Sequence, residues 1–245
     1  MIVPANHPRH NSLQQRQLLE EGMRAGIVTP TGMIAFGRGE AFDYLLGEKT
    51  SAQAKKAARA AAAQLLLAKK PVISVNGNAA VLAVREIIAL AKTVKAKIGA
   101  NVFYAPAKKR RELIVKHFKK QGASILGKTT DARIAGLSSE RANVCRQGIF
   151  SADVVLVMLE DGDRTEALKK HETVVIAIDL NPLSRTAQKA NITVVDNISR
   201  AVPLIKKEAE KLRAKKSWQL KKILRGFSNS KNLLESEKLL RRNLK

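Results

Sequence analysis

The sequence predicts an α/β fold: a Rossmann-like, doubly wound, mostly parallel sheet with helices on both faces and a helical C-terminal extension. Three almost uninterrupted apolar segments, 152–159, 173–178 and 192–195, are rich in Val, Ile and Leu. Such runs, without alternation of polar residues, are typical of strands buried on both faces of a parallel sheet. Each run ends on a cluster of Asp, Asn, Arg or Thr. Because ligands of these sheets bind at the carboxyl ends of the strands, the sequence predicts a site there.

The N-terminal part is expected to be mainly helical. Asn11 or Ser12 can cap a helix that ends at Gly26. A turn at 28–32 and a glycine-bearing segment at 34–44 follow. Thr50 or Ser51 then begins a long Ala/Leu-rich helix that extends to about Lys69, whose small side chains favour close packing.

Strands and helices alternate after this helix. The expected elements are a strand at 71–75, a helix at 79–92, a strand at 98–104, a helix at 107–121, a loop at 128–139 and a helix at 139–147, before the three apolar strands. Alternation at this spacing predicts βαβ units and therefore a doubly wound sheet.

The chain is expected to be purely helical after Asn197. Trp218, Leu220, Ile223 and Leu224 are the apolar residues expected to attach this part to the core. We therefore predict an α/β domain at 1–203, including the N-terminal helices, and a basic helical extension at 204–245.

The strong positive charge raises the question of a nucleic-acid partner. The formal net charge is +24, and the segment from Lys206 to Lys245 holds 14 Lys or Arg against four Glu. The remaining lysines are spread over presumed helix surfaces, and aromatic residues make up only 4% of the chain, too few for base stacking. The composition therefore favours small anionic substrates over nucleic acid.

The sequence does not predict a membrane protein or a disulfide-bonded protein. No apolar run approaches the roughly 20 residues that span a bilayer, and the first ten residues lack the pattern of a signal peptide. A single cysteine, Cys145, cannot form an internal disulfide. We expect a cytoplasmic protein with no membrane partner.

Two glycine-containing motifs are candidate anion sites. Asn76-Gly77-Asn78 lies between a predicted strand and a predicted helix, where a helix N-terminus can bind a phosphate or carboxylate. Arg38 lies between Gly37 and Gly39, and its guanidinium can grip a phosphate through two hydrogen bonds. An ordinary strand-to-helix turn and a surface turn are the alternatives. The second motif matches neither the dinucleotide fingerprint nor a Walker loop.

Two polar clusters follow the apolar strands. In the first, Glu160 and Asp161 are candidate Mg²⁺ ligands beside a nucleotide, and Asp163 is a plausible N-cap of the next helix. In the second, 179–186, Asp179 and Asn181 can hydrogen-bond a ribose or base, with Arg185 and Thr186 as phosphate donors.

Several long strings of residues closely resemble the archaeal 4-phosphopantoate–β-alanine ligases, also called phosphopantothenate synthetases. The strings are His7-Pro8-Arg9, 26–32 (GIVTPTG), 37–50 (GRGEAFDYLLGEKT), 71–78 (PVISVNGN), 159–168 (LEDGDRTEAL), 178–187 (IDLNPLSRTA) and 195–198 (VDNI). They span about Pro4 to Pro203, and the basic tail is more divergent.

The resemblance implies a reaction and a set of residues. The family condenses 4-phosphopantoate with β-alanine, consuming ATP through an acyl-adenylate and releasing AMP and diphosphate, on the route to coenzyme A. Its ATP contacts correspond here to Arg16, Arg38, Asp179, Leu180, Asn181, Arg185, Thr186, Asn197 and Ile198. The family is dimeric, and the alanine-rich 57–63 face could be the interface or equally the face of a core helix.

The other site assignments come from the chemistry of the residues. Asn76-Gly77-Asn78, with Arg9 or His10 assisting, is expected to bind the phosphopantoate phosphate. Asp161 and Arg164, with Arg38, are expected to act in catalysis. The segment from Glu160 to Arg164 is expected to bind Mg²⁺ and diphosphate. A phosphopantothenoylcysteine synthetase-like ligase and a basic nucleic-acid-binding protein are the alternative functions.

Overall fold

A five-stranded parallel sheet forms the centre of the molecule. The structure, a computed structural model, describes residues 4, 6–7, 9–104 and 106–244. The strands are β1 (Pro71–Val75), β2 (Lys97–Ala100), β3 (Ala132–Arg133), β4 (Asn143–Val144), β5 (Val154–Met158), β6 (Val174–Ile178) and β7 (Ile192–Val194). The main sheet has the order β2-β1-β5-β6-β7, and β3 and β4 form a small antiparallel pair.

Helices surround this sheet. They are α1 (His10–Arg24), α2 (Pro30–Leu45), α3 (Ala52–Leu67), α4 (Gly77–Leu82), α5 (Val84–Val94), α6 (Ala107–Lys120), α7 (Gly162–Lys170), α8 (Arg185–Lys189), α9 (Ile198–Leu212), α10 (Ser217–Arg225) and α11 (Asn229–Arg242). The predicted α/β class is confirmed. None of the helices in the described ranges is long and apolar enough to cross a membrane.

The order of the strands determines where a ligand can bind. From β1 the chain continues outward to β2, and it then returns to place β5 on the other side of β1. Neighbouring strands that continue in opposite directions leave a crevice at their carboxyl ends. The polar residues that follow β1 and β5 therefore meet at this switch point.

The glycine-bearing segment 34–44 is helical and not irregular. Thr29 caps α2 by accepting a hydrogen bond from the backbone N–H of Gly32, and Pro30 occupies the first turn. Phe36, Glu40 and Asp43 are buried along one side of α2. Packing of these side chains outweighs the low helix propensity of the glycines.

The alanine-rich helix α3 is a core helix. Ser51 caps it, accepting from the backbone N–H of Ala54 at 3.0 Å. The side chains of Ala57, Ala58 and 60–63 have no exposed surface, and α3 packs against α9, α10 and β7. Within this chain, therefore, the face considered as a dimer interface is already covered.

Several predicted elements differ from the structure. The turn expected at 28–32 already contains the start of α2 at Pro30, and the loop expected at 128–139 contains β3. The helix expected at 79–92 is two helices, because Ala83 leaves the helical conformation with a φ of −150°. The strand expected at 98–104 ends at Ala100. The helix expected at 139–147 is wrong: a 3₁₀ turn at Glu140–Ala142 is followed by β4, whose residues pair with Ala132 and Arg133.

The C-terminal helices attach directly to the edge of the sheet. The side chain of Asn229 accepts from the backbone N–H of Thr193 at 2.7 Å, and that of Asn232 donates to its carbonyl at 3.0 Å. Helix α9 runs through residue 203, where the sequence suggested a boundary. Leu220 is buried as expected, but Trp218 is 59% exposed.

Candidate active site

A cavity of about 430 Å³ lies at the switch point. We call it the central cavity. Its walls come from α2, from the turn after β1, from the segment after β2 and from the turn after β5; they include Thr29, Arg38, Asn76, Gly77, Asn78 and Asp161. The structure thus brings together the two glycine motifs and the acidic cluster, which are far apart in the sequence.

The turn Asn76-Gly77-Asn78 joins the walls of the central cavity. Asn76 accepts from the backbone N–H of Ala79 and donates to the carbonyls of Met158 and Leu159, at 2.9 and 3.0 Å. Asn78 donates to the carbonyl of Gly32 at 2.8 Å. The side-chain amides of both residues are therefore structural as well as cavity-lining.

Gly77 is required by a close backbone approach. A Cβ atom at this position would lie 2.2 Å from the carbonyl oxygen of Ile27. No real side chain can be accommodated at that distance, so only glycine allows the loop before α2 to close over the turn.

Arg38 lies at the junction with a second cavity of about 250 Å³, which we call the side cavity. The central and side cavities share Ala35, Arg38, Leu159 and Glu160. The side cavity is otherwise lined by Gly39, Phe42, Ser184 and the 179–181 segment. One arginine of α2 thus borders both spaces.

The 179–181 segment is a rigid turn at the end of β6. Asp179 accepts from the backbone N–H of Asn181 at 2.9 Å and from the hydroxyl of Ser184. Asn181 accepts from the backbone N–H of Leu183 at 2.9 Å. Burial raises the pKa of Asp179, although these hydrogen bonds oppose the shift. The predicted nucleotide-binding turn is therefore preorganised.

Glu160 forms a buried ion cluster beneath the two cavities. Its side chain is 3% exposed and pairs with Arg141 at 2.6 Å and with Arg164. Burial alone would raise the pKa of Glu160, but the two guanidiniums outweigh it and keep that pKa below its usual value. Glu160 is thus an ionised, fully neutralised carboxylate.

Arg164 lies underneath the crevice and not in it. The residue has no exposed surface, and its guanidinium also donates to the hydroxyl of Ser74 at 3.0 Å. The sequence suggested a catalytic role for Arg164. Because its side chain is enclosed, Arg164 can act only through Glu160.

Asp161, and not Asp163, caps α7. The side chain of Asp161 accepts from the backbone N–H of Arg164 at 2.8 Å, so the cap predicted at Asp163 is wrong. The other oxygen of Asp161 lies 2.8 Å from Nε of Arg141. Burial and the charge of Glu160 together raise the pKa of Asp161.

The predicted metal ligands do not form a cation cage. Both oxygens of Glu160 are paired with arginines, and both oxygens of Asp161 have a partner. Across the described ranges there is no group of three or more His, Cys, Asp or Glu that could bind a metal ion. The pair is therefore a poor resident Mg²⁺ site.

Sequence reasoning missed two arginines of the central cavity. The guanidinium of Arg141 lies 5.5 Å from the centre of the Phe103 ring, and that of Arg110 donates to the carbonyl of Tyr104 at 2.9 Å. Burial lowers the pKa of Arg110. For Arg110 the sequence signal is the basic run around Lys108, which is also typical of a solvated helix surface.

Several predicted nucleotide contacts lie outside the side cavity. Arg16 pairs with Glu40 at 2.8 Å, and the exposed Arg185 pairs with Asp163 and Glu166. Thr186 and Ile198 are buried. Asn197 caps α9 and donates to Gln15 and Asp43, at 3.1 and 3.0 Å.

Arg9 and His10 are not among the residues that line the central cavity. Arg9 lines a separate cavity of about 180 Å³ together with Asn197, and His10 contacts the carbonyl of Pro4 at 2.9 Å. Pro8 of the same motif lies outside the described residues. The structure therefore does not bring Arg9 and His10 to the proposed phosphate site.

Comparisons with known proteins identify relatives over nearly the whole chain. The family model described as phosphopantothenate/pantothenate synthetase matches residues 53–243. The 4-phosphopantoate–β-alanine ligases of Thermococcus onnurineus and Thermococcus kodakarensis are each 48% identical to this chain over 233 residues. The match covers 94% of this chain and 89% of each relative. The corresponding ligase of Methanosarcina mazei is 44% identical over 244 residues, covering 99% of this chain and 96% of its own.

Proposed function

The chain belongs to the phosphopantothenate/pantothenate synthetase family, and we propose that it condenses 4-phosphopantoate with β-alanine through an acyl-adenylate. It is a C–N bond-forming, ATP-dependent ligase of coenzyme A biosynthesis. The products of the proposed route are 4'-phosphopantothenate, AMP and diphosphate.

The observation that carries this proposal is the pair of cavities joined at Arg38. An adenylate-forming enzyme must bring a substrate carboxylate to the α-phosphate of ATP. Two adjoining spaces with a shared cation provide that arrangement. Alignment of the two reactants and neutralisation of phosphate charge are the main requirements of this chemistry.

We place the adenosine of ATP in the side cavity. Leu180 and Phe42 offer apolar contacts, while the amide of Asn181 is available to a ribose or base. The hydrogen bonds of Asp179 fix this turn before the nucleotide binds. The phosphates would then extend toward Arg38.

We place 4-phosphopantoate in the central cavity. Arg110 and Arg141 border that cavity, and the N-terminal ends of α2 and α4 open onto it through Thr29 and Gly77. Cationic side chains and helix N-termini both favour a phosphate. We assign this substrate to the Asn76-Gly77-Asn78 turn with Arg110 and Arg141, in place of Arg9 and His10.

Two displacements complete the reaction. A carboxylate oxygen of phosphopantoate attacks the α-phosphorus of ATP, and the bond to diphosphate breaks. The amine nitrogen of β-alanine then attacks the acyl carbon, and AMP leaves with the bonding electron pair while the amine releases its protons. Arg38, between the two cavities, would stabilise the charge that develops on the α-phosphate.

Magnesium would accompany the nucleotide. The neutralised Glu160 makes a resident metal site unsuitable, and Mg²⁺ is commonly bound through one or two carboxylates plus substrate phosphates. The oxygens of Asp161 are also paired, so we assign the ion to the phosphates of ATP and not to either residue of the predicted pair. The ion would screen the diphosphate leaving group.

The other residues matched to family nucleotide contacts would support the site from outside it. The hydroxyl of Thr186 donates to the carbonyl of Glu160 at 2.8 Å, which links α8 to the ion cluster. Arg16 neutralises Glu40 on α2, the helix that carries Arg38. Asn197 and Ile198 begin α9 beside Asp43 of the same helix. Arg185 is assigned to the outer side of α7.

We also propose that the enzyme is a cytoplasmic homodimer. Leu18 and Met23 on α1 and Ile34 on α2 are 37%, 38% and 67% exposed, so helices α1 and α2, and not α3, offer exposed apolar side chains to a second copy. An Ile34→Glu variant should shift sedimentation toward the monomer. A reducing, ATP-containing compartment also suits a chain with one cysteine.

The nucleotide product tests the proposed reaction. We would incubate the protein with ATP, Mg²⁺, 4-phosphopantoate and β-alanine and separate the nucleotides by chromatography. AMP should accumulate in a one-to-one ratio with 4'-phosphopantothenate. Accumulation of ADP with that product would exclude the adenylate route, and absence of the product would exclude the ligase assignment.

A further inference from the structure

A third space, along helix α7, opens from the central cavity. Its volume is about 280 Å³, and we call it the α7 groove. It shares Phe103, Asp161 and Asp163 with the central cavity, so the two spaces are adjacent. The nucleotide and 4-phosphopantoate, as placed above, leave this groove free.

The lining of the α7 groove carries both signs of charge. One side is formed by residues of α7 spaced three or four apart, including Asp163, Glu166 and Lys170, which therefore lie on one face of the helix. Ser138 and Ser139 belong to the loop on the other side.

The polar groups of the groove differ in whether they already have partners. Arg185 is occupied by Asp163 and Glu166. By contrast, in the part of the chain that the structure describes, the hydroxyls of Ser138 and Ser139 and the ammonium of Lys170 take part in no hydrogen bond or ion pair. A hydroxyl pair and a cation are therefore available to an anionic group.

We propose that the α7 groove binds β-alanine as a zwitterion, with its ammonium group at Asp161 and its carboxylate toward Ser138, Ser139 and Lys170. The inference rests on the proposed ligase function. The orientation follows from the chemistry, because only the amine has to reach the acyl carbon in the central cavity. The end of the groove that adjoins this cavity is the end that carries Asp161.

The charges of the groove favour a zwitterion over the diphosphate leaving group. Its lining holds the carboxylates of Asp161, Asp163 and Glu166 against the cations of Lys170 and Arg185. A highly charged anion would be repelled by this surplus of negative charge, whereas an ammonium group would gain a partner. Asp161 has capacity for it, since a carboxylate can accept about four hydrogen bonds.

Lys170→Met tests the carboxylate end of the groove, with Lys169→Met as the matched control. Both residues are exposed lysines of the last turn of α7, but only Lys170 lines the groove. For each variant and the unaltered protein, KM and kcat would be measured with β-alanine and with propylamine, which lacks the carboxylate. Exchange of labelled diphosphate into ATP, with 4-phosphopantoate and no amine, reports the first half-reaction and the integrity of the fold.

Lys170→Met should raise KM for β-alanine by roughly tenfold, the scale of one hydrogen bond to a charged group. Values of kcat, turnover of propylamine and the exchange reaction should stay unchanged, and Lys169→Met should resemble the unaltered protein. Equal behaviour of the two variants, or equal losses with both amines, would overturn the inference. Absence of exchange in the unaltered protein would instead refute the adenylate route. The KM values of the two variants would still show whether β-alanine binds in the α7 groove.

Discussion

Removal of Arg164 should destabilise the protein strongly, because it leaves Glu160 with one cation in place of two. Both side chains are essentially enclosed, at 1% and 3% exposed. Breaking a buried ion pair by removing one partner commonly costs about 3–5 kcal/mol. Since Arg141 would still neutralise Glu160, we expect Arg164→Met to lie at the lower end, about 3 kcal/mol.

The pH dependence of this loss has a definite sign. The folded-state pKa of Glu160 lies below its ordinary value of 4.5, so its ionisation contributes stability above that value, and the contribution is lost as pH falls. In Arg164→Met only Arg141 opposes the effect of burial on Glu160, so the pKa of Glu160 rises. The difference in unfolding free energy between the two proteins should therefore be largest at neutral pH and narrow as pH falls below about 4.5.

Urea denaturation followed by circular dichroism at pH 7 and at pH 4 would measure both effects. Arg185→Met is the matched control, because its pairs with Asp163 and Glu166 are on the surface, where an ion pair contributes little to stability. Adding Glu160→Gln to Arg164→Met should recover part of the loss at neutral pH. A cost below 1 kcal/mol for Arg164→Met, or one that grows in acid, would refute the argument.

Three further predictions concern the crevice and the C-terminal helices. Arg38→Ala should lower kcat/KM for ATP by on the order of a hundredfold with an unchanged melting temperature, by analogy with the loss of a charge-stabilising donor; unchanged turnover would remove Arg38 from the site, and Asn181→Ala provides a second test. Gly77→Ala should lower the melting temperature markedly, because its Cβ would lie 2.2 Å from a backbone oxygen; a stable variant would contradict that geometry. Deletion after Lys216 removes the hydrogen bonds of Asn229 and Asn232 to β7 and should lower the melting temperature while turnover by the folded protein is retained; a stable but inactive truncation would show that the tail contributes to the site.

The central sheet could be predicted from the sequence because its signals are local. The three apolar runs and 71–75 are continuous stretches of β-branched and aliphatic residues, and each proved to be a strand. The polar residues at their carboxyl ends followed from the general rule for parallel sheets. The sequence alone therefore predicts Asn76, Glu160 and Asp179 at the same edge of the sheet.

Elements that depend on tertiary contacts could not be predicted in the same way. In α2 the glycines left a surface turn open as an alternative, but the burial of Phe36, Glu40 and Asp43 stabilises a helix. The segment around Arg141 is a short turn, and the carbonyl of Arg141 accepts a hydrogen bond from the side chain of Asn101, at 3.1 Å and across 40 residues. No periodic pattern records such a contact, so the arginine that neutralises Glu160 was missed.

The C-terminal helices illustrate a limit of reasoning from hydrophobicity alone. Trp218 is the largest apolar side chain of that part, yet it is mostly exposed, whereas Leu233 and Leu240 pack with Leu180 beside the side cavity. Asn229 and Asn232 attach α11 to β7, and their role could not be distinguished from that of surface asparagines without the position of the sheet edge.

A structure of the protein with ATP bound would show whether the nucleotide and the phosphorylated acid occupy adjoining cavities on either side of Arg38. We expect adenosine in the side cavity against Leu180 and Asn181, with the α-phosphate within hydrogen-bonding reach of Arg38. A nucleotide bound elsewhere, with the side cavity closed around Arg38, would contradict this placement.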